Sequence, residues 1–545
     1  MRNQKGESRA YFLPAAQFGD SNDLESNLSR LFDRACFMNP LDSSLPTPKE
    51  LQTRFLCPFF FQRDRVREAG EELKRVSIAG RGGKLLNIWE PAQPHDLYLE
   101  ELLVHVRDYL FRGFQEGECG YFQLAEQVSN AFFNKLEVEM SGGENIPLRL
   151  VPKIRAELFL FRVGVGIFSL ALSPRHDGLT CDEILGLNYG LSQLRKQVAS
   201  RVRVTQQSRI TPIEEHAHIS LIDQFLGRRD DAFTLGELVA KLLQPIKRFS
   251  RERHLRSGAR EEAEGAQGFF EDSVELAQEQ LSVYSSVQFG AEVDFEVPDV
   301  VSILAVFLSK LAQVEEPGHA GSPRSIVGIP NCALNRKQWA AVGLLGAAHI
   351  VADQEPPEHP FNSARMGRAF MKYFIPYLLA SHQRLALQGI IHDADRAAFA
   401  RTGSKPSDHD ELRQCLLEFA LRGYFTQVSS RDVLHRYYHI SQQGLDVRNV
   451  LEDTRRAVGD IEAKETAKLM TEHLGAIRGV QEKVEVLEFA VIAISVWAVL
   501  ESLTPGLREW EPKPPWHFIA FVAAIACSFL LRAIIDLWNK DNRGN

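Results

Sequence analysis

Paired cysteines are missing from this chain. Its 545 residues hold seven, at Cys36, Cys57, Cys119, Cys181, Cys332, Cys415 and Cys527, and no two form a C-x-x-C. That excludes a legible zinc ribbon or disulfide frame and fits buried thiols in a reducing compartment. Positive charge is scarce: 63 Lys and Arg stand against 71 Asp and Glu, a net charge of −8, so direct nucleic-acid binding is not expected. A phosphate loop is absent too. Gly80 to Lys84 reads GRGGK, but the motif would need glycine where Ile78 stands and Ser or Thr where Leu85 stands. There is no G-x-S-x-G and no Cys/His pair with a local signature, so nothing argues for an enzyme. The N-terminus, MRNQKGESRAYFLPAAQF, lacks the apolar core of an export signal, which places the bulk of the chain in the cytosol.

Long apolar runs are confined to the C-terminal end. Phe489 to Leu500 reads FAVIAISVWAVL, and after Glu501 the run continues to Leu507. A second run extends from Pro514 to Leu531 and on to Trp538. A span needs about 20 residues, so both qualify, and the Pro-rich connector makes them antiparallel. The alternative is a hairpin buried in a soluble core. Trp497, Trp516 and Trp538 lie where amphipathic indoles mark a membrane interface, and Arg532 with Asp536 pairs at the inner end of the second span. Ser495, Glu501, Ser502 and Thr504 are the polar groups in or beside the first span, and an ionisable group at that depth is a functional candidate. Both termini are expected in the cytosol, with the hairpin in the inner (plasma) membrane.

The remainder reads as an α+β body. A cytosolic α/β domain with a mixed sheet is expected over residues 1–260. A second, mainly helical part covers 261–445, a coiled-coil-like helix 446–488, the transmembrane hairpin 489–538 and a short cytosolic tail 539–545. Leu51 to Phe61 is apolar and reads as strand or buried loop. AELFLF and IFSLALS, joined by a Gly-rich turn, read as a β-hairpin. Thr180 with Glu183 and Thr234 with Glu237 are capping boxes that start helices. Leu97 to Gly113 reads as one amphipathic helix, and the chain from about Trp339 onward as mostly helical, with Pro376 as a kink. Val447, Leu451, Thr454, Val458 and Ile461, then after a phase slip Met470, Leu474, Ile477, Val480, Val484, Leu487 and Val491, recur at threes and fours.

Other candidate constellations are weak. His216 and His218 would share a strand face as metal ligands, but no third ligand stands at a telling spacing. His435 and His439 share a helix face without the glutamate of H-E-x-x-H, which favours packing over metal binding.

A cytosolic α/β domain, a long helix running into the first of two C-terminal spans, and a short outer loop resemble the CorA family of magnesium transporters. The resemblance implies a homopentamer whose first span lines a pore. The family's Gly-Met-Asn triplet is absent; Glu501 to Gly506 stands there, so hydrated-magnesium selection is not implied. The departures are similar to divergent CorA-like effectors beside type III CRISPR and other defence systems. That implies an oligomeric channel or membrane effector gated by its cytosolic domain, with a divalent cation or nucleotide as the ligand. The alternatives are a membrane-anchored sensor or scaffold without a pore, and a membrane-tethered enzyme.

Overall fold

In the computed structural model, residues 46–503 are described except 62–65, 76, 80–84, 113–118, 134–135, 140–144, 152–153, 176–177, 195–198, 205–231, 244–279, 296, 317–328, 354–361 and 400–405, together with Val522. The strands are β1 (Glu50–Phe60), β2 (Ser77–Ala79), β3 (Leu85–Asn87), β4 (Trp89–Pro91), β5 (Cys119–Leu124), β6 (Leu136–Glu139), β7 (Asn145–Leu150), β8 (Glu157–Phe161), β9 (Val165–Pro174), β10 (Val202–Val204), β11 (Ala232–Phe233), β12 (Ser282–Phe289), β13 (Asn331–Asn335), β14 (Gln338–Val342) and β15 (Gly346–Ala352). The helices are α1 (Val66–Arg75), α2 (Asp96–Leu99), α3 (Val104–Arg107), α4 (Glu126–Phe133), α5 (Cys181–Ser192), α6 (Leu235–Leu242), α7 (Pro298–Gln313), α8 (Asn362–Lys372), α9 (Phe374–Phe399), α10 (Pro406–Glu418), α11 (Asp432–Gly444) and α12 (Val447–Leu503). By its internal contacts the chain divides into two units, Met1–Val458 and Gly459–Asn545.

The first unit is built on one mixed sheet with the order β11-β10-β6-β7-β9-β1-β12-β15-β14-β13. Strand β9 forks: Val165 to Ser169 pairs with β8, and Leu172 to Pro174 pairs with β7. Through β8 the sheet also takes in β5 and β4. The pairings are antiparallel except β12 with β15, whose register runs from Val283↔Gly346 to Phe289↔Ala352. Every residue of β9 and of β15 is buried. Such strands read as continuous apolar runs because both faces are covered.

Two apolar cores lie on the two faces. One packs α1, α5, α6 and α7 around Phe55, Trp89, Phe168, Leu238 and Phe307. The other packs α2, α3, α8, α9, α11 and the first turns of α12 around Phe159, Phe161, Tyr284, Phe374 and Tyr437. The result is an α/β/α sandwich. Gly346 shows how tightly it closes: a Cβ there would stand 2.3 Å from the carbonyl oxygen of Val283 on the neighbouring strand.

Local signals were met where they were strong. The Thr180–Glu183 capping box forms in full, and Thr234 with Glu237 caps α6 through two hydrogen bonds. The β8–β9 hairpin turns at Gly164, whose φ of 84° suits glycine. Two expectations are corrected. Leu97 to Gly113 is not one helix but α2, then α3 continued by a π-helical turn at Asp108–Arg112. The segment from Trp339 is sheet as far as Ala352, because β13, β14 and β15 form an antiparallel meander. Pro376 interrupts the helical stretch as expected, as a break rather than a bend: α8 ends at Lys372, four residues before the proline, and Pro376 lies in the first turn of α9, where its missing N–H costs nothing.

The largest correction concerns the membrane. Among the described residues no helix is long and apolar enough to cross a bilayer. Helix α12 does run on through the first apolar run to Leu503. Its uncharged stretch, however, is only the 12 residues from Phe489 to Leu500, with Glu482, Lys483, Glu485 and Glu488 before it and Glu501 after it. About 20 residues are needed. The second run, 514–538, lies outside the described residues. A two-helix transmembrane hairpin is therefore not supported, and the expectations of a channel and of an inner-membrane location fall with it.

Candidate functional site

Arg54 is the most unusual residue of the first unit. It sits in mid-β1, fully buried, and the β9 and β12 neighbours leave it no route to water. A buried guanidinium survives only when paired and hydrogen-bonded. Its Nη1 donates to Glu157 Oε2 on β8 and, at 3.1 Å, to Ser169 Oγ on β9. Its Nη2 donates to Tyr98 Oη on α2. Tyr98 in turn donates to the Glu157 carboxylate at 2.9 Å, and Tyr121 on β5 donates to it at 2.6 Å. Gln123 donates to Tyr121 Oη at 2.7 Å. The guanidinium carbon lies 3.9 Å from the ring centroid of Phe374 and 5.1 Å from that of Phe370. Burial works to lower the Arg54 pKa, but Tyr98 and Glu157 outweigh it and hold the cation above its ordinary range. Burial pushes the Tyr98 and Tyr121 phenols well up.

This cluster joins four strands to α2, α8 and α9. With its charges sealed from solvent it has no access for a substrate, so its chemistry is that of a fastener between layers.

Two buried histidines make similar cross-layer contacts. His349 on β15 lies 3.0 Å from Tyr437 Oη on α11 and stacks on Tyr373, centroids 5.4 Å apart. His382 on α9 lies 3.3 Å from Tyr109 Oη and 4.0 Å from the Phe161 ring centroid. Burial lowers both to about 3, so both are neutral at pH 7.

The second unit shows the opposite chemistry. Along α12, Met470, Leu474, Ile477, Val480, Val484, Leu487, Val491 and Ile494 are each 49–68% exposed. Counting in sevens, Met470, Ile477, Val484 and Val491 fall at heptad position a, and Val480, Leu487 and Ile494 at d. His473 is the polar d position in that stretch, with Leu474 beside it, and the apolar d series stops at Glu501. Lys483 takes a g position and Glu488 the e position five residues on. In parallel, in-register helices g of one faces that e of the next, so these two charges are complementary. Antiparallel pairing would set like positions, and like charges, together.

The residues expected to carry function fare unevenly. Ser495 is exposed on α12, and its hydroxyl donates to the Val491 carbonyl of its own helix at 2.7 Å. Trp497, Glu501 and Ser502 lie within α12. Thr504, Trp516, Arg532, Asp536 and Trp538 lie outside the described residues, as do His216 and His218. No group of three or more metal-ligating side chains occurs among the described residues. Sequence reasoning missed the Arg54 cluster altogether; its one signal was an arginine inside the apolar run LQTRFLCPFFF.

No family model, curated protein or solved structure matches the chain, so none of them bears on the resemblance to the CorA family.

Proposed function

We propose that this chain is an oligomeric scaffold or sensor protein, in which copies associate in parallel through α12 and the α/β/α body is the folded headpiece. The single observation that carries the reading is the exposed heptad stripe from Met470 to Ile494 with its complementary Lys483 and Glu488. Each such side chain contributes roughly 1.5–3 kcal/mol gross when buried. Association costs about 4–15 kcal/mol. A seam of seven a and d side chains, flanked by Leu474, is therefore of the size a stable assembly needs. The occupant is a second copy rather than another protein because the charge pattern is self-complementary in one orientation. The a positions Ile477, Val484 and Val491 are β-branched, a choice that suits parallel packing.

The test is sedimentation equilibrium of the full chain across the micromolar range. Wild type should associate, and Val484→Asp with Leu487→Asp should leave single copies with an intact body. Lys483→Glu should weaken association, and adding Glu488→Lys should restore it. A chain that stays single throughout, or one whose association ignores the Asp substitutions, overturns the reading.

A further inference from the structure

Helix α11 carries two histidines that the body does not use. His435 and His439 stand one turn apart on the same face, and their Nε2 atoms are 3.0 Å from each other. Their ring centroids are 4.3 Å apart at 70°, so the rings meet edge to face rather than stacking. His439 is exposed and His435 half-buried, unlike the adjacent Tyr437 and Tyr438, which turn fully into the core. The Nδ1 atom of His435 is buried and without a hydrogen-bond partner, so Nε2 is the atom this ring offers outward. The two Nε2 atoms hydrogen-bond to each other, so both rings already bring one nitrogen to the same place.

The geometry points to a two-histidine site for an imidazole-preferring divalent transition metal, Zn2+, Cu2+ or Ni2+. Bonds of about 2.0–2.1 Å put two imidazole nitrogens about 3.3 Å apart in tetrahedral coordination and about 2.9 Å apart as neighbours in a square plane. The observed 3.0 Å lies between these, so a metal is accepted with a small rotation of either ring. Burial first, and then the facing His439, hold His435 below the ordinary histidine range. Asp432, one turn earlier on the same helix face and exposed, exerts the opposite pull on His435. Because no third ligating side chain converges among the described residues, water completes the coordination.

Such a site would clip two successive turns of the helix that leads directly into α12. Only Leu445 and Asp446 separate the two, and Asp446 has the left-handed φ of 55°. Metal binding stabilises the folded form by linkage and fixes the C-terminal half of α11. The proposal does not depend on self-association of α12, and its readouts do not require it.

The experiment uses the full-length chain with Cu2+ as probe, read by isothermal titration and by electron paramagnetic resonance, with Zn2+ read by thermal unfolding. Wild type should show one tight Cu2+ site with two imidazole nitrogens in its hyperfine pattern, and Zn2+ should raise its Tm. His439→Ala, an exposed position that leaves the core intact, should weaken Cu2+ binding on the order of 100-fold, the usual gain from a second attachment in the same molecule. His435→Ala should do the same, and neither variant should respond to Zn2+. The double variant His216→Ala, His218→Ala should keep the site. Tight binding that survives either α11 substitution, or that vanishes with the His216 and His218 pair, overturns the assignment. So does a wild-type chain that binds Cu2+ no more tightly than His439→Ala.

Discussion

The two units invert the usual rule in opposite directions. The body buries a full positive charge: Arg54 lies among phenylalanine rings with no solvent exposure. The long helix exposes a row of large apolar side chains. The contrast teaches that each inversion needs its own partner. Arg54 has found its partner within the chain, in Glu157, Tyr98 and Ser169. The stripe on α12 has no such partner among the described residues of its own chain, and the association proposed above would supply one.

The contrast is broken most forcefully from the inside. Glu157→Ala leaves Arg54 charged, buried and unpaired, and should destabilise the body by about 3–5 kcal/mol in urea unfolding. Replacing both partners, as Arg54→Met with Glu157→Leu, should cost less than the sum of the two single changes. A double variant that costs the full sum would show that the pair is not coupled.

Acid attacks the same layer contacts. The folded pKa of His349 and of His382 is depressed to about 3, so below the unfolded value of about 6.5 the unfolded chain binds protons that the folded chain does not. The stability these histidines contribute is present above pH 6.5. It is lost as pH falls, at about 1.4 kcal/mol per pH unit for each, and levels off near pH 3. Urea midpoints between pH 7 and 5 should show this slope, and His382→Phe should flatten it by one histidine's share.

Substitutions on the outside should leave the body alone. Leu487→Asp, on an exposed face, should change body stability by no more than about 0.5 kcal/mol while abolishing association. If unfolding shifts further, the stripe is packed on its own body and the contrast fails. The smallest effect sharpens it: His473→Leu fills the polar d position and should tighten association without changing its parallel sense, as read by a thiol-labelled end-to-end distance.

Legibility in the sequence followed the range of the interaction. Capping boxes, the β8–β9 hairpin and the periodicity of α12 depend on residues within a turn or two of each other, and all were readable. Strands β14 and β15 were not, because WAAVGLLGAAHIVA is apolar on both faces and small, and carries no period of two. The single amphipathic helix expected at Leu97 to Gly113 failed where Glu101, with φ 63°, turns the chain out of helix. Its carboxylate is then held by Lys372 at 2.6 Å, a contact no local pattern encodes. Arg54 and Glu157 are 103 residues apart, so their pairing could be found only from the fold. The first apolar run near the C-terminus was read as a span because Glu501 was counted inside it, although only 12 residues, Phe489 to Leu500, are free of charge.

The root of α12 has a consequence for how the whole helix forms. Val447, Leu451, Thr454 and Val458 repeat the same fours and threes as the exposed stripe, but they are buried in the body. Starting a helix is the costly step, and extending it is cheap. The docked turns supply the start, so the remaining residues propagate from a nucleus that is already folded. In a single copy, protection of the α12 amides against hydrogen exchange should therefore decline steadily from Val447 toward Leu503, as a frayed rope does from its knot. In an assembly the far end is held as well, and the gradient should flatten. The helix thus carries a record of its own company, readable amide by amide.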